Sequence, residues 1–314
     1  MQAITVGGAI IDIVVSGVQG EQAIGNKENV DAITLGIGGG AANASLAIRA
    51  SGMDVGIVCA LGDDAEGQWI RSVLERAQVD LSLVQCIVGQ ATGKAVIHLD
   101  KKGEARVFAQ RGASTQVSPC HALEAEPTTL IYVSALSTQA EVELAQALHR
   151  ETPLAARVVI NPGMGQIAAF STAFSHILSR ADLVCLNESE TRMLALKQAI
   201  TLPDDINAAP AALLAQLKLH PQQSILITLG DRGALFCDGD GLHFSQPARV
   251  SVQSTLGAGD AFCATFASHW ARGQPVQTAL AAAQTYCTKV LQSITANLAT
   301  EEAVTEAAGP LINY

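Results

Sequence analysis

Along most of its length the chain alternates short β-branched runs with Ala/Leu-rich stretches of helical period, and that alternation limits the fold more than any other property. The runs "AITVGG" (3–8), "DVGIVCALG" (54–62), "TLIYVSA" (129–135), "ARVVINP" (156–162), "ADLVCLN" (181–187) and "SILITLG" (224–230) read as strands. Between them, "AANASLAIRASG" (41–52), "AEGQWIRSVLERAQ" (65–78) and "AEVELAQALHRE" (140–151) read as helices. Strands joined through helices build a parallel sheet covered on both faces, with ligands at the carboxyl ends of the strands. The expected fold class is α/β, a doubly wound, mostly parallel sheet with helices on both sides.

Two segments break the rhythm. Residues 10–37 and 91–110 ("ATGKAVIHLDKKGEARVFAQ") read as strands joined by polar turns, with "DKKGE" (100–104) as a hairpin loop. They predict a small β lid inserted into one domain spanning 1–314; the alternative is that they are edge strands of the main sheet. From about residue 223 strands are separated by Gly/Asp turns, and helices follow at 258–271, 275–292 and about 300–308.

Composition removes several classes of function. With 19 basic against 29 acidic residues there is no diffuse basic surface for a nucleic-acid backbone, so any phosphate must be held locally. Seven cysteines, an odd number without a C-x-x-C pair and mostly in apolar runs, predict reduced, buried thiols and a cytoplasmic protein. The seven histidines form no metal-ligand spacing, so no zinc site is expected. The N-terminal "MQAITVGGAIIDIVVSG" has no positive start and is interrupted by Asp12, and no run reaches 18 apolar residues; neither a signal peptide nor a membrane span is expected.

Within this frame "STLGAGDAFCATFASHW" (254–270) stands out. A glycine-rich turn entering a helix attracts anions, because unpaired backbone N–H groups and the positive end of the helix dipole meet there. If the amides of Gly257, Ala258 and Gly259 hold a phosphate, Asp260 repels it and needs a compensating role. A general base taking a hydroxyl proton as the oxygen attacks a γ-phosphoryl group is such a role, typically about 10²–10⁴-fold in rate. Helix capping is the plain alternative.

Three further stretches carry chemistry. In "LGIGGGAANASLAIRASG" (35–52), Gly38, Gly39 and Gly40 let backbone approach a ligand, and the Asn43 amide offers a donor and an acceptor suited to sugar hydroxyls. The same run fits a dinucleotide fingerprint through Gly36, Gly38 and Ala41, but the acid expected at the end of the following strand is missing. In "LNESET" (186–191), Asn187 and Glu190 share a helical face and could order water around a magnesium–phosphate assembly; N-x-x-E is equally a capping box. In "ILITLGDRGALF" (225–236), Thr228, Gly230 and Gly233 offer a hydroxyl and open backbone at a strand's carboxyl end. Asp12, after "AITVGGAI", can accept two hydroxyl hydrogen bonds.

In this order and at these separations, "GGGAAN" and "STLGAGDAF" resemble the N-terminal glycine signature and the "DTxGAGD" signature of the ribokinase-like (PfkB) carbohydrate and nucleoside kinases, and the likeness covers nearly the whole chain. The resemblance implies a β lid over the sugar site and phosphorylation of a hydroxymethyl group by ATP with Mg²⁺. Asp260 would be the base and the 257–259 amides the anion hole. Asp12, Gly39, Gly40 and Asn43 would contact the sugar; Asn187, Thr228, Gly230, Gly233, Gly257 and Gly259 the nucleotide; Glu190 the magnesium, through water. On the lid, Lys94, His98 and Arg106 alternate with apolar neighbours as ligand-facing residues would, and His98 and Arg106 are assigned to the substrate. Three departures qualify the expectation: Ser254 replaces an Asp that helps hold a monovalent cation, Ile10 and Gly40 replace residues of ribose-specific members, and "VLQSITANLAT" lacks the usual adenine-side glycine. Potassium activation and ribose itself are therefore not expected. Competing functions are an NAD(P)-dependent oxidoreductase using 36–41, or a non-catalytic sugar or nucleotide sensor. Open lid edges suggest a homodimer.

Overall fold

The computed structural model describes residues 1–18, 29–99, 105–120, 125, 129–148, 155–209, 211–247 and 249–299. The expected hairpin loop 100–104 and the helix near 300–308 lie outside the described residues.

The main sheet has eight strands. In chain order these are β1 (Ala3–Val6), β4 (Val55–Val58), β9 (Leu130–Val133), β10 (Arg157–Ile160), β11 (Leu183–Asn187), β12 (Ser224–Thr228), β13 (Ala234–Cys237) and β14 (Leu242–Ser245). Their spatial order is β14-β13-β12-β11-β10-β9-β1-β4. From β4 to β12 all pairs are parallel; β13 and β14 add an antiparallel edge. Apolar residues fill these strands because both faces are covered. Along β9, Leu130 and Tyr132 enter one core while Ile131 and Val133 enter the other; along β11, Leu183 and Cys185 part in the same way from Val184 and Leu186. Each such side chain, fully buried, contributes about 1.5–3 kcal/mol of transfer free energy.

The helices Gly40–Ala50, Ala65–Arg76, Ala258–Ala271 and Val276–Leu291 supply the first core, and Thr138–Leu148, Thr172–Arg180 and Glu188–Lys197 the second. The run 54–62, expected as one strand, is divided. After β4 the chain turns at Cys59, and β5 (Ala60–Gly62) leaves the main sheet to pair with β6 (Gln85–Ile87).

The lid is a separate four-stranded sheet rather than an edge of the main one. It contains β2 (Ile10–Ser16), β3 (Ala32–Gly38), β7 (Lys94–Leu99) and β8 (Ala105–Gln110) in the order β3-β2-β7-β8. Val14, Ala95, Ile97 and Leu99 form its inner cluster, against which Ile10, Leu256 and Ile294 pack. The chain passes from β1 to β4 on one side of β1 and later returns through β9 on the other. That reversal is a topological switch point, where a crevice opens at the strands' carboxyl ends.

All seven cysteines are free thiols; Cys59, Cys185, Cys237, Cys263 and Cys287 are buried as expected, while Cys86 is exposed. Among the described residues no helix is long and apolar enough to cross a membrane.

Candidate active site

Asp260 stands in the first turn of the helix Ala258–Ala271. Gly257 precedes that helix with φ 70°, in the left-handed region, and no side chain caps the helix start. A Cβ on Gly257 would lie 2.2 Å from the carbonyl oxygen of Ala296, so close approach and backbone conformation both require glycine. A Cβ on Gly259 would meet nothing within 4 Å; that residue faces open space. The Ala258 amide donates at 3.3 Å to the Thr255 carbonyl, so the turn is partly tied to itself.

Opposite this turn lies the start of the helix Gly40–Ala50. Gly39 takes φ 94°, and a Cβ there would lie 2.5 Å from the Gly8 carbonyl oxygen. Gly8 in turn accepts from the amides of Ala41 and Ala42, at 3.1 and 3.4 Å. Neither helix start has a side-chain cap, but they differ in backbone: the distant Gly8 carbonyl occupies the amides of Ala41 and Ala42, whereas the Ala258 amide bonds within its own turn. This disfavours the 36–41 run as a pyrophosphate turn. Moreover, Gly36 and Gly38 belong to lid strand β3, outside the parallel sheet that such a turn needs to leave.

Asn43 Nδ2 donates to Asp260 Oδ2 at 2.9 Å, joining the two helix starts. A Cβ on Gly40 would lie 2.6 Å from the Ser134 Cβ and 3.9 Å from Asp260 Oδ1. Gly40 thus leaves room between the end of β9 and the carboxylate. Asp260 remains only half-buried, yet it lies deep enough for loss of hydration to raise its pKa to about 6, against the lowering effect of the Asn43 hydrogen bond. Asp12, on β2, is 4% exposed, and its carboxyl abuts the α-carbon of Gly38. Burial, and then the charge of Asp260, push its pKa to about 7.

Behind the Gly257 turn a cavity of about 1140 Å³ is bounded by Asn187, Thr228, Gly230, Gly233, Ala258 and Gly259 on its polar side and by Val250, Val252, Phe262 and Leu291 on its apolar side. Asn187 ends β11 and Thr228 is its register partner at the end of β12, so parallel pairing sets both at one rim. Asn187 is also the N-cap of the helix Glu188–Lys197. Its Oδ1 accepts from the Glu190 amide and its own amide donates to Glu190 Oε2, both at 2.9 Å. Burial raises the Glu190 pKa, with the Asn187 amide opposing that rise. Gly233 takes φ 93°, and a Cβ there would lie 2.1 Å from the Ser245 carbonyl oxygen, so strand packing alone demands glycine at that site.

The structure thus gathers Asp12, Gly39, Gly40, Asn43 and Asp260 on the lid side of the Gly257–Gly259 turn, and Asn187, Thr228, Gly230 and Gly233 on its other side. His98 and Arg106 are not in either group. They are register partners across β7 and β8, whereas Asp12 pairs with Ala95, and one residue of offset in a strand means opposite faces of the lid. Arg106 stacks on the Phe108 ring at 5.0 Å and Lys94 pairs with Glu66, both on the face away from Asp12.

Sequence reasoning missed three residues. Ser134 forms the wall beside Gly40, Arg249 lines the cavity, and buried Asn297 donates to Asn43 Oδ1 at 3.0 Å. Asn297 could have been found as an uncharged polar side chain in an apolar C-terminal tract, since such groups are buried only with partners.

Residues 1–303 match the profile of the pfkB family carbohydrate kinases. The ribokinase of Schizosaccharomyces pombe is 29% identical over 255 residues, covering 80% of this chain and 79% of that protein. A fructokinase of Klebsiella pneumoniae is 30% identical over 247 residues, covering 72% and 74%. The chain spans only 41% of another relative, the bifunctional ribokinase/ribose-5-phosphate isomerase A of Fructilactobacillus sanfranciscensis, at 26% identity. In fold it is similar to the ribokinase of Cryptococcus neoformans var. grubii serotype A in complex with ADP, with a TM-score of 0.76 at 23% identity over 98% of this chain and 99% of the other. The adenosine kinase of Sinorhizobium meliloti gives a TM-score of 0.75 at 17% identity, covering 98% and 99%. With the family profile running through both glycine turns and the lid, the chain belongs to the PfkB family of carbohydrate and nucleoside kinases, phosphotransferases that use an alcohol as acceptor.

Proposed function

We propose that this protein transfers the γ-phosphoryl group of ATP to a hydroxyl of a sugar or nucleoside, with Asp260 as general base. One observation carries the proposal: a half-buried carboxylate, hydrogen-bonded by Asn43, sits at a helix start with no side-chain cap, between a nucleotide-sized cavity and the lid. The nucleotide lies in the cavity, its phosphates towards Thr228, Gly230 and the 257–259 amides. The acceptor lies under the lid, its hydroxyls held by Asp12 and Asn43 and admitted by Gly39 and Gly40.

Asp260 takes the hydroxyl proton as the alcohol oxygen bonds to the γ-phosphorus. The bond from that phosphorus to the β,γ-bridging oxygen breaks and ADP leaves. A base titrating at about 6 is ionised at neutral pH and still basic enough to accept a proton as the attacking oxygen loses it. The 257–259 amides and the helix dipole oppose the negative charge on the phosphoryl oxygens without reorganising. Among the described residues no group of three or more His, Cys, Asp or Glu could hold a metal ion. Magnesium would therefore be bound chiefly by phosphate oxygens and water, with Glu190 ordering that water and the ion neutralising phosphate charge.

Asp260→Asn is expected to lower turnover about 10²-fold or more while nucleotide affinity stays near normal. Full turnover in that variant would sink the proposal; activity lost together with nucleotide binding would point to a structural role. A sensor lacking catalysis would gain affinity from removal of the acid, and wild-type turnover on no member of a sugar and nucleoside panel would favour that reading.

A further inference from the structure

Buried Asn297 lies in the segment following the helix Val276–Leu291, far from every signature motif, yet it touches both halves of the acceptor site. Its Nδ2 donates to the carbonyl of Ile37 in lid strand β3 at 2.7 Å and to Asn43 Oδ1 at 3.0 Å. A backbone carbonyl can only accept, so the atom facing Ile37 must be the amide nitrogen. With the two protons of that nitrogen assigned to Ile37 and Asn43, the oxygen of Asn43 is held towards Asn297. Its nitrogen is then directed to Asp260 Oδ2, at 2.9 Å.

We infer that Asn297 is a positioning residue for catalysis: by fixing which end of the Asn43 amide faces Asp260, it keeps the base in its proton-accepting form, and it does so only while lid strand β3 is in place. The inference rests on the reading of Asp260 as the base. Without Asn297, Asn43 can turn over and present its oxygen to the carboxyl, an arrangement that favours the protonated acid. The segment carrying Asn297 is itself held by buried contacts: Thr295 Oγ1 donates to the Asn297 carbonyl at 2.8 Å, and the hydroxyls of Ser293 and Thr295 lie 3.0 Å apart.

The titratable groups around Asp260 are Asp12 on β2, Glu190 on the helix Glu188–Lys197, Tyr132 on β9 and Cys263 on Asp260's own helix. Burial raises Tyr132 well above its ordinary range, and the hydrogen bond with Cys185, followed by burial, raises Cys263 well above its own, so both stay neutral at physiological pH. Glu190 lies on a separate element, but Asp12 lies beside strand β3, which Asn297 also holds, so the Asn43→Ala background is what separates a route through Asn43 from one through the lid.

The test is the pH dependence of kcat with saturating acceptor and ATP–Mg²⁺. In Asn297→Leu, similar in size but without a donor, the acid limb is expected to move up by about one pH unit, with turnover recovering at high pH. In Asn43→Ala, adding Asn297→Leu is expected to move that limb no further. A role in folding alone would lower the melting temperature and turnover at every pH while leaving the limb in place. A limb that coincides with wild type, or one that still moves in the Asn43→Ala background, overturns the inference. If Asn297→Leu does not accumulate folded, Asn297→Ser gives the same reading, because its hydroxyl has a single proton and cannot donate to both acceptors. Failure of the base assignment is distinguishable, because Asp260→Asn would then retain turnover whatever residue 297 does.

Discussion

Two carboxyl groups on the lid side of the Gly257 turn, Asp12 and Asp260, bind protons more tightly in the folded chain than their ordinary value of 3.8 would allow, titrating at about 7 and about 6. Because both pKa values are raised by folding, the stability this pair contributes is full below about pH 4 and is lost as pH rises through about 6 to 7. At neutral pH the unliganded protein holds Asp260 ionised and Asp12 about half protonated, at a cost in stability, as binding sites commonly do. Asp12→Asn is therefore expected to stabilise the unliganded protein above pH 7, on the order of a few kcal/mol, while weakening acceptor binding. Urea melts of wild type and variant from pH 5 to 8 check this, since the difference between them removes the other titrating groups. A difference that does not grow with pH would show that the Asp12 carboxyl is well hydrated. At this scale the sequence was informative where chemistry constrains residue type. Asp260 after a glycine turn is conspicuous because an acid there opposes any anion that the turn's amides would attract. Asn297 is not, because its role depends on a partner 254 positions away.

Among the elements, the lid's outward face differs from its inward one. Leu35, Ile13, Val96 and Phe108 are successive register partners across all four strands, and Leu35, Val96 and Phe108 are 50%, 44% and 58% exposed. Leu35, Val96 and Phe108 form apolar surface of the kind a second copy of the lid would cover, whereas Ile13 packs against the first core. If two copies pair through this row, Phe108→Asp is expected to shift sedimentation to the monomer; a wild type that is monomeric at every concentration would refute such pairing. His98 and Arg106 lie one row along on that same outward face. Strand period showed that residues 94, 96 and 98 share a face, but the register against β2 that decides which face holds Asp12 cannot be read along a single strand. Elements with a clear period were legible: the helix expected at 258–271 is observed at Ala258–Ala271, and that at 275–292 as Val276–Leu291. The division of 54–62 into β4 and β5 was not, because an unbroken apolar run gives no sign of leaving one sheet for another.

Over the whole molecule, one crevice at the sheet's switch point receives the carboxyl ends of β1, β9, β11 and β12, the cradle before the Ala258 helix and the underside of the lid. Alternation of strand and helix alone implied that crevice, since parallel strands send their following loops to one edge. The difference between the two glycine turns, one closed by the Gly8 carbonyl and the other bonded within itself, was not legible in the sequence, because it depends on contacts between distant residues. ATP–Mg²⁺ at about 100 times its Kd is expected to stabilise the protein by about 2.7 kcal/mol, raising the melting temperature, whereas NAD(P)H should leave it unchanged. A shift with the dinucleotide and none with ATP would contradict the placement of the nucleotide.

Gly257 is held against the carbonyl of Ala296, leaving no space for even a methyl group. Two stretches of chain some forty positions apart are thus set back to back: one opens the Ala258–Ala271 helix, the other leads to Asn297 and from there to the lid. Neither can drift without dragging its neighbour. Substitutions along the closing stretch are expected to be tolerated only where they preserve this backbone path, and new side chains are expected to be accepted at the cavity's outer rim sooner than at the seam between the two stretches.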